Sequence, residues 1–174
     1  MADIPDTLVL KRDRDLEGRG YDVWVRRALF GLVVAIPVVA LFNVFGQRPQ
    51  SRTLVGPAAS LKVYAPSHVR GGLLFEARFH ITARQELRHA TLVLGSGWLE
   101  GMTVNTIEPS PVSEASNNGR LSLELGHIPK GESYLLFVQI QVNPTNVGRR
   151  DQSVELMDGD RSLLSYTRTV TIFP

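Results

Sequence analysis

No cysteine occurs among the 174 residues. That excludes a disulfide framework, cysteine-ligated zinc or iron–sulfur, and a thiol nucleophile. Charge of one sign is also scarce. Lys and Arg number 19 against 17 Asp and Glu, a formal net charge of +2. A chain built to coat nucleic acid carries a strong basic excess on one face, so nucleic acid is not an expected partner. The motifs of several chemistries are missing too. There is no G-x-S-x-G nucleophile elbow, no G-x-x-x-x-G-K-[ST] phosphate loop and no H-E-x-x-H. His68, His80, His89 and His127 show no helical metal spacing and read as solvated. Glu155, Asp158 and Asp160 offer oxygen ligands, but EF-hand spacing is absent, and an acidic hairpin turn is the better reading. No catalytic residue, metal site or cofactor is expected.

What is present begins with one long apolar run. Ala28 to Phe45 reads ALFGLVVAIPVVALFNVF and contains no charged residue. Eighteen residues at about 1.5 Å each span roughly 27 Å, close to the hydrocarbon thickness of a bilayer. Pro37 lies within it, which membrane helices tolerate with a kink. A helix apolar on all sides needs a large protein around it if it is not in lipid. Residues 28–45 are therefore expected to form a transmembrane helix, with Asn43 marking the headgroup boundary. Lys11, Arg12, Arg14, Arg19, Arg26 and Arg27 precede the run, and only Arg48 and Arg52 closely follow it. That asymmetry puts the N-terminus in the cytoplasm and the rest outside. Tyr21, Trp24, Arg26 and Arg27 suit the headgroup level as membrane-anchoring residues. The run is longer than a signal-peptide core, and no A-x-A pattern follows it, so the anchor is expected to stay uncleaved. Residues 1–27 read as a solvated cytoplasmic tail, and residues 46–59, with two prolines and two glycines, as a linker.

From residue 60 to 174 the period is two. Leu73, Phe75, Ala77, Phe79 and Ile81 fall on one face, with Glu76, Arg78, His80 and Thr82 on the other. Leu121, Leu123 and Leu125 repeat the pattern, as do Leu136, Val138, Ile140 and Val142. Near the end, Tyr166, Val170 and Ile172 alternate with threonines, and Arg168 interrupts the apolar face. Such runs are half-buried strands. Turn signals separate them, Asn118-Gly119 being the sharpest. About seven strands are predicted, near 60–65, 73–83, 89–95, 101–107, 120–126, 133–142 and 152–157 or 163–172. One-sided apolar faces must bury one another, so an antiparallel all-β sandwich is expected.

Two stretches resemble bacterial immunoglobulin-like surface modules of the cell-adhesion-related type. One is Leu61-Lys62-Val63 with Pro66, Val69-Arg70-Gly71-Gly72, Phe75 and Ile81. The other runs from Asn118-Gly119-Arg120-Leu121 through Leu125-Gly126-His127-Ile128-Pro129-Lys130-Gly131-Glu132-Ser133. The resemblance covers residues 60–174 and implies an immunoglobulin-like fold. Joined to the apolar run, the domain is also similar to single-pass actinobacterial membrane proteins. Neither resemblance implies an activity.

Candidate contact residues are few. Trp98, in Gly97-Trp98-Leu99-Glu100-Gly101-Met102, reads either as a core or rim tryptophan covering the sandwich end or as a partner hot spot with Leu99 and Met102. Phe137 falls on the polar face of its strand. The functional expectation is a non-catalytic binding or accessory module anchored in the lipid bilayer and partnered with a membrane or envelope protein. A membrane-tethered envelope hydrolase and an envelope ligand sensor are the alternatives.

Overall fold

A computed structural model describes residues 20–42 and 47–174. They belong to two separate units, a helix and a β domain.

The helix, α1, spans Gly20–Leu41. Its 22 residues have a mean hydropathy of 1.9, long and apolar enough by length and composition to cross a membrane. At about 1.5 Å per residue it measures roughly 33 Å. None of its residues is buried. It begins at Gly20 rather than at Ala28, because nothing in Tyr21–Arg27 breaks a helix and backbone bonds propagate through polar residues as readily as apolar ones. Tyr21, Trp24, Arg26 and Arg27 therefore lie on the helix itself. The Arg27 guanidinium sits 5.7 Å from the Trp24 ring, one turn away. Asn43, and residues 1–19 of the tail, lie outside the described residues.

The β domain is an immunoglobulin-like, all-β sandwich. Its strands are β1 (Pro49–Val55), β2 (Ala59–Pro66), β3 (His68–Arg70), β4 (Leu74–Ala83), β5 (Leu87–Leu94), β6 (Met102–Glu108), β7 (Ser113–Asn117), β8 (Arg120–Ile128), β9 (Ser133–Val142), β10 (Gly148–Asp158) and β11 (Arg161–Phe173). One sheet has the order β1-β2-β4-β9-β6 and the other β3-β11-β10-β5-β8-β7. Every pairing is antiparallel except that of β3 with the end of β11. The strand count exceeds the expected seven because β1, β3 and β7 carry no buried alternation of useful length. β1 also corrects the linker reading of residues 46–59. Those prolines and glycines bound a strand in register with β2, from Pro49 opposite Pro66 to Val55 opposite Ser60.

Alternation along each long strand decides which side is buried. In β4, Phe75, Ala77, Phe79, Ile81 and Ala83 are buried, and in β9 Leu136, Val138, Ile140 and Val142 are. They meet Leu87, Leu92 and Leu94 of β5, Leu123 of β8, Val154 and Leu156 of β10 and Val170 and Ile172 of β11 in one core. Leu73 precedes β4 and stays exposed. Each large side chain fully buried here stabilises the fold by about 1.5–3 kcal/mol.

Two local devices fix the geometry. The β7–β8 hairpin turns on Asn118 and Gly119, both at positive φ, with Asn117 opposite Arg120. This matches the right-handed twist of the strands it joins. The second is the short 3-10 turn Ser96–Trp98, after β5. A Cβ on Gly95 would lie 2.0 Å from Ser153 Oγ, and one on Gly97 would lie 2.2 Å from the Asp151 carbonyl oxygen. Backbone cannot yield at position 97 as the Ser153 hydroxyl can at 95, so it is Gly97 that lets this turn press against β10 and drive Trp98 into the core.

Candidate partner-binding face

The five-stranded sheet buries its inner side chains and turns the intervening ones outward. Register then places three residues from separate strands in one row. Tyr64 of β2 lies opposite Arg78 of β4, and Arg78 lies opposite Phe137 of β9. The row continues to Glu108 of β6. Direct cross-strand neighbours have Cβ atoms about 4.5–5.5 Å apart, so their side chains meet.

The Arg78 guanidinium is 5.3 Å from the Tyr64 ring and 5.5 Å from the Phe137 ring. Its Nε donates to Glu76 Oε1 at 2.5 Å. This hydrogen bond, reinforced by the charge of Glu76, raises the Arg78 pKa above its ordinary value. The cation is thus held between two aromatic rings by a carboxylate on its own strand. Cation–π contacts at exposed sites contribute about 0.5–1 kcal/mol each. They hold the side chain in place more than they stabilise the fold.

Shallow depressions flank the row. Lys62, Tyr64, Arg78, His80 and Leu135 line one of about 310 Å³. Glu76, Thr106, Glu108, Phe137 and Gln139 line another of about 330 Å³. Leu135 is 42% exposed. The face therefore combines a pre-positioned arginine, two aromatic rings, an exposed leucine, two acids on the Phe137 side and Lys62 on the Tyr64 side. Arginine and aromatic side chains that lose little freedom on binding are the usual anchors of protein interfaces.

The predicted contact residues divide. Phe137 lies on this face, half-buried against Arg78. Trp98 does not present a surface for a partner. It is fully buried, packs edge-to-face on Phe79 at 5.6 Å, and donates from Nε1 to the Ser153 carbonyl at 3.0 Å. The tryptophan thus satisfies its polar atom inside the core, as buried indoles do. Met102 is also buried, on the inner side at the start of β6. Leu99 is half-buried beside it, lining a groove with Thr103, Val104, Ile107 and Leu121. The expected cluster of Trp98, Leu99, Met102 and Phe137 is therefore not one surface, because Phe137 points away from the core that holds Trp98 and Met102. Tyr64 and Arg78 went unrecognised. The outward phase of Arg78 was legible, but which residues of distant strands stand beside it depends on pairing register.

The other singled-out residues have structural partners. Asp158 and Asp160 flank Gly159 in the β10–β11 turn, and Asp158 Oδ1 accepts from the His89 backbone N–H at 2.8 Å. Glu155 lies on β10 and accepts from Arg120 at 2.8 Å. The Ser162 hydroxyl and then Arg120 lower its pKa below the ordinary glutamate value. His68 opens β3 and stacks on Phe173, and His127 lies on β8 with its Nε2 3.1 Å from Glu86. Among the described residues no three His, Asp or Glu side chains gather as a metal site.

No family model matches the chain, and no curated protein matches it in sequence. Solved structures with a related outline include a non-cellulosomal cohesin from Archaeoglobus fulgidus, at 16% identity and a TM-score of 0.40, covering 63% of this chain and 88% of that one. A second is the Clostridium acetobutylicum protein CaCohA2, at 12% identity and a TM-score of 0.45, covering 68% and 92%. A third is a CARDB domain from Pyrococcus furiosus, solved in complex with di-metal ions, at 16% identity and a TM-score of 0.40, covering 70% and 98%. At these values no residue of a site transfers from them to this chain.

Proposed function

We propose that this chain is a single-pass membrane protein whose β domain lies outside the cytoplasm and binds a protein partner of the envelope without catalysing a reaction. The observation that carries the reading is the Tyr64–Arg78–Phe137 row, an arginine held between two rings on an open sheet face. Support for the anchor comes from α1, apolar over a bilayer's thickness with no buried residue. Tyr21 and Trp24, each 70% exposed, and Arg26 and Arg27 sit near its start, where rings and guanidinium groups meet headgroups. The excess of Lys and Arg before the helix favours a cytoplasmic N-terminus, with the anchor retained.

The test is affinity capture of the full chain from a detergent extract. We expect a stoichiometric partner with the parent chain and its loss with the Y64A/F137A double variant, whose unfolding free energy falls by about 2–4 kcal/mol from lost cation–π contacts and half-buried ring area. Equal recovery by the double variant overturns the reading, as does turnover of a cell-wall polymer by the purified chain.

A further inference from the structure

The sandwich is open along one side, where β1 of one sheet faces β11 of the other. Inward positions at such a seam would ordinarily be apolar. Here several are not. Arg52 lies opposite the buried Val63, so it shares that inner side of β1. On β11, Arg168 takes the inward phase of Val170 and Ile172. Its neighbour across the ladder is Gln152 of β10. Gln152 is fully buried, and neither its Oε1 nor its Nε2 has a hydrogen-bond partner.

A cleft of about 500 Å³ opens at this seam, lined by Gln50, Ser51, Arg52, Val63, Tyr166 and Arg168. Both of its charged residues are cations. No ion pair engages either arginine among the described residues. Arg168 is half-buried, with its guanidinium 5.9 Å from the Trp98 ring and one nitrogen donating to the Pro66 carbonyl. Burial lowers its pKa, the expected response of a desolvated cation without a counter-charge. The rest of its donor fork is available to a ligand.

We propose that this cleft binds a phosphate monoester, its oxygens held by Arg52 and Arg168. Two guanidinium groups without a carboxylate call for nearly two negative charges, which a phosphate monoester carries at neutral pH and a single carboxylate does not. Val63 and the Tyr166 ring provide walls for the organic body. The same chemistry is available from a soluble phosphate ester or from a phosphatidic acid headgroup.

The test uses the full chain carrying W24F in phosphatidylcholine nanodiscs, so that Trp98, beneath Arg168, is the sole tryptophan. Titration with glycerol 3-phosphate is followed by Trp98 emission and by calorimetry. We expect saturable binding, weakened about tenfold or more by R168Q and by R52Q. Arg52 is exposed, so R52Q reads the site even where R168Q impairs folding. In a second arm, phosphorus NMR of discs containing phosphatidic acid is compared between the parent and the two variants. A headgroup resonance that responds to both arginines makes the lipid the source, whereas a response to glycerol 3-phosphate alone makes it a soluble ester. Absence of saturation in both arms, or parent-like binding by R52Q, overturns the proposal. The partner-capture experiment uses different residues, so the two readings fail independently.

Discussion

The helix and the sandwich are built from the same apolar residue types and treat them in opposite ways. In α1, Leu32, Val33 and Ile36 are each about 60% exposed, and no residue of the helix is buried. In β4, Phe79 and Ile81 are completely enclosed, and Glu76 and Arg78, which precede them, take the water. A one-sided apolar pattern finds its complement within the chain. An all-round pattern finds no complement among the described residues, and apolar surface left in water is costly whatever element carries it.

Substitutions in the two units should therefore separate cleanly. The largest effect is expected from F79A, which removes a ring packed on Trp98. It should lower the unfolding free energy of the β domain by about 3–5 kcal/mol while leaving carbonate-resistant membrane retention intact. Denaturant unfolding followed by tryptophan emission, with membrane pelleting in parallel, checks both halves. Next comes V34R in α1. An arginine at mid-span costs about 2.5–3.5 kcal/mol for insertion, so retention should fall while the sandwich unfolds as before. If V34R destabilised the β domain as F79A does, the two units would not be independent, and the contrast drawn here would dissolve.

The smallest effect concerns a surface pair and sharpens the comparison within the sandwich. Glu155, stabilised as a carboxylate by Ser162 and Arg120, has a folded-state pKa below its ordinary value. Its contribution is then present above the unfolded glutamate pKa of about 4.3 and lost as pH falls through the lower folded value. The parent should exceed E155Q slightly in Tm near pH 7, and the gap should close on acidification toward pH 3. Thermal melts of both chains across that range measure it, and a gap that widened in acid would refute the sign.

Much of this architecture could be read from the residues. The alternation from Phe75 to Ile81 gave β4 its buried side, and Asn118-Gly119 gave the β7–β8 turn. What escaped was structure fixed by neighbours rather than by local pattern. β7, Ser-Glu-Ala-Ser-Asn, is exposed throughout and carries no apolar stripe, so pairing with β8 alone makes it a strand. β1 escaped for a similar reason, being almost wholly exposed between prolines and glycines. For Trp98 a core position and a partner contact were both open from sequence, because its glycine-rich setting reads as a loop, and the structure places it in the core. Of the candidate face, Phe137 was legible from its phase on β9. Its alignment with Tyr64 and Arg78 joins positions 64, 78 and 137, a relation that no local window contains. Arg168 was visible as a break in the pattern of β11, and its meaning emerged only with Arg52 and Gln152 placed around it.

The glycine turn beside β10 has a consequence for how this protein can diverge. Outward positions of the sheets can change residue type without disturbing the core packing, even where they alter what the surface binds. Position 97 has no such latitude, since an added methyl group would lie 2.2 Å from the Asp151 carbonyl oxygen, whereas at position 95 the Ser153 hydroxyl can rotate aside. An indole at the heart of this fold therefore hangs on the absence of one methyl group at position 97.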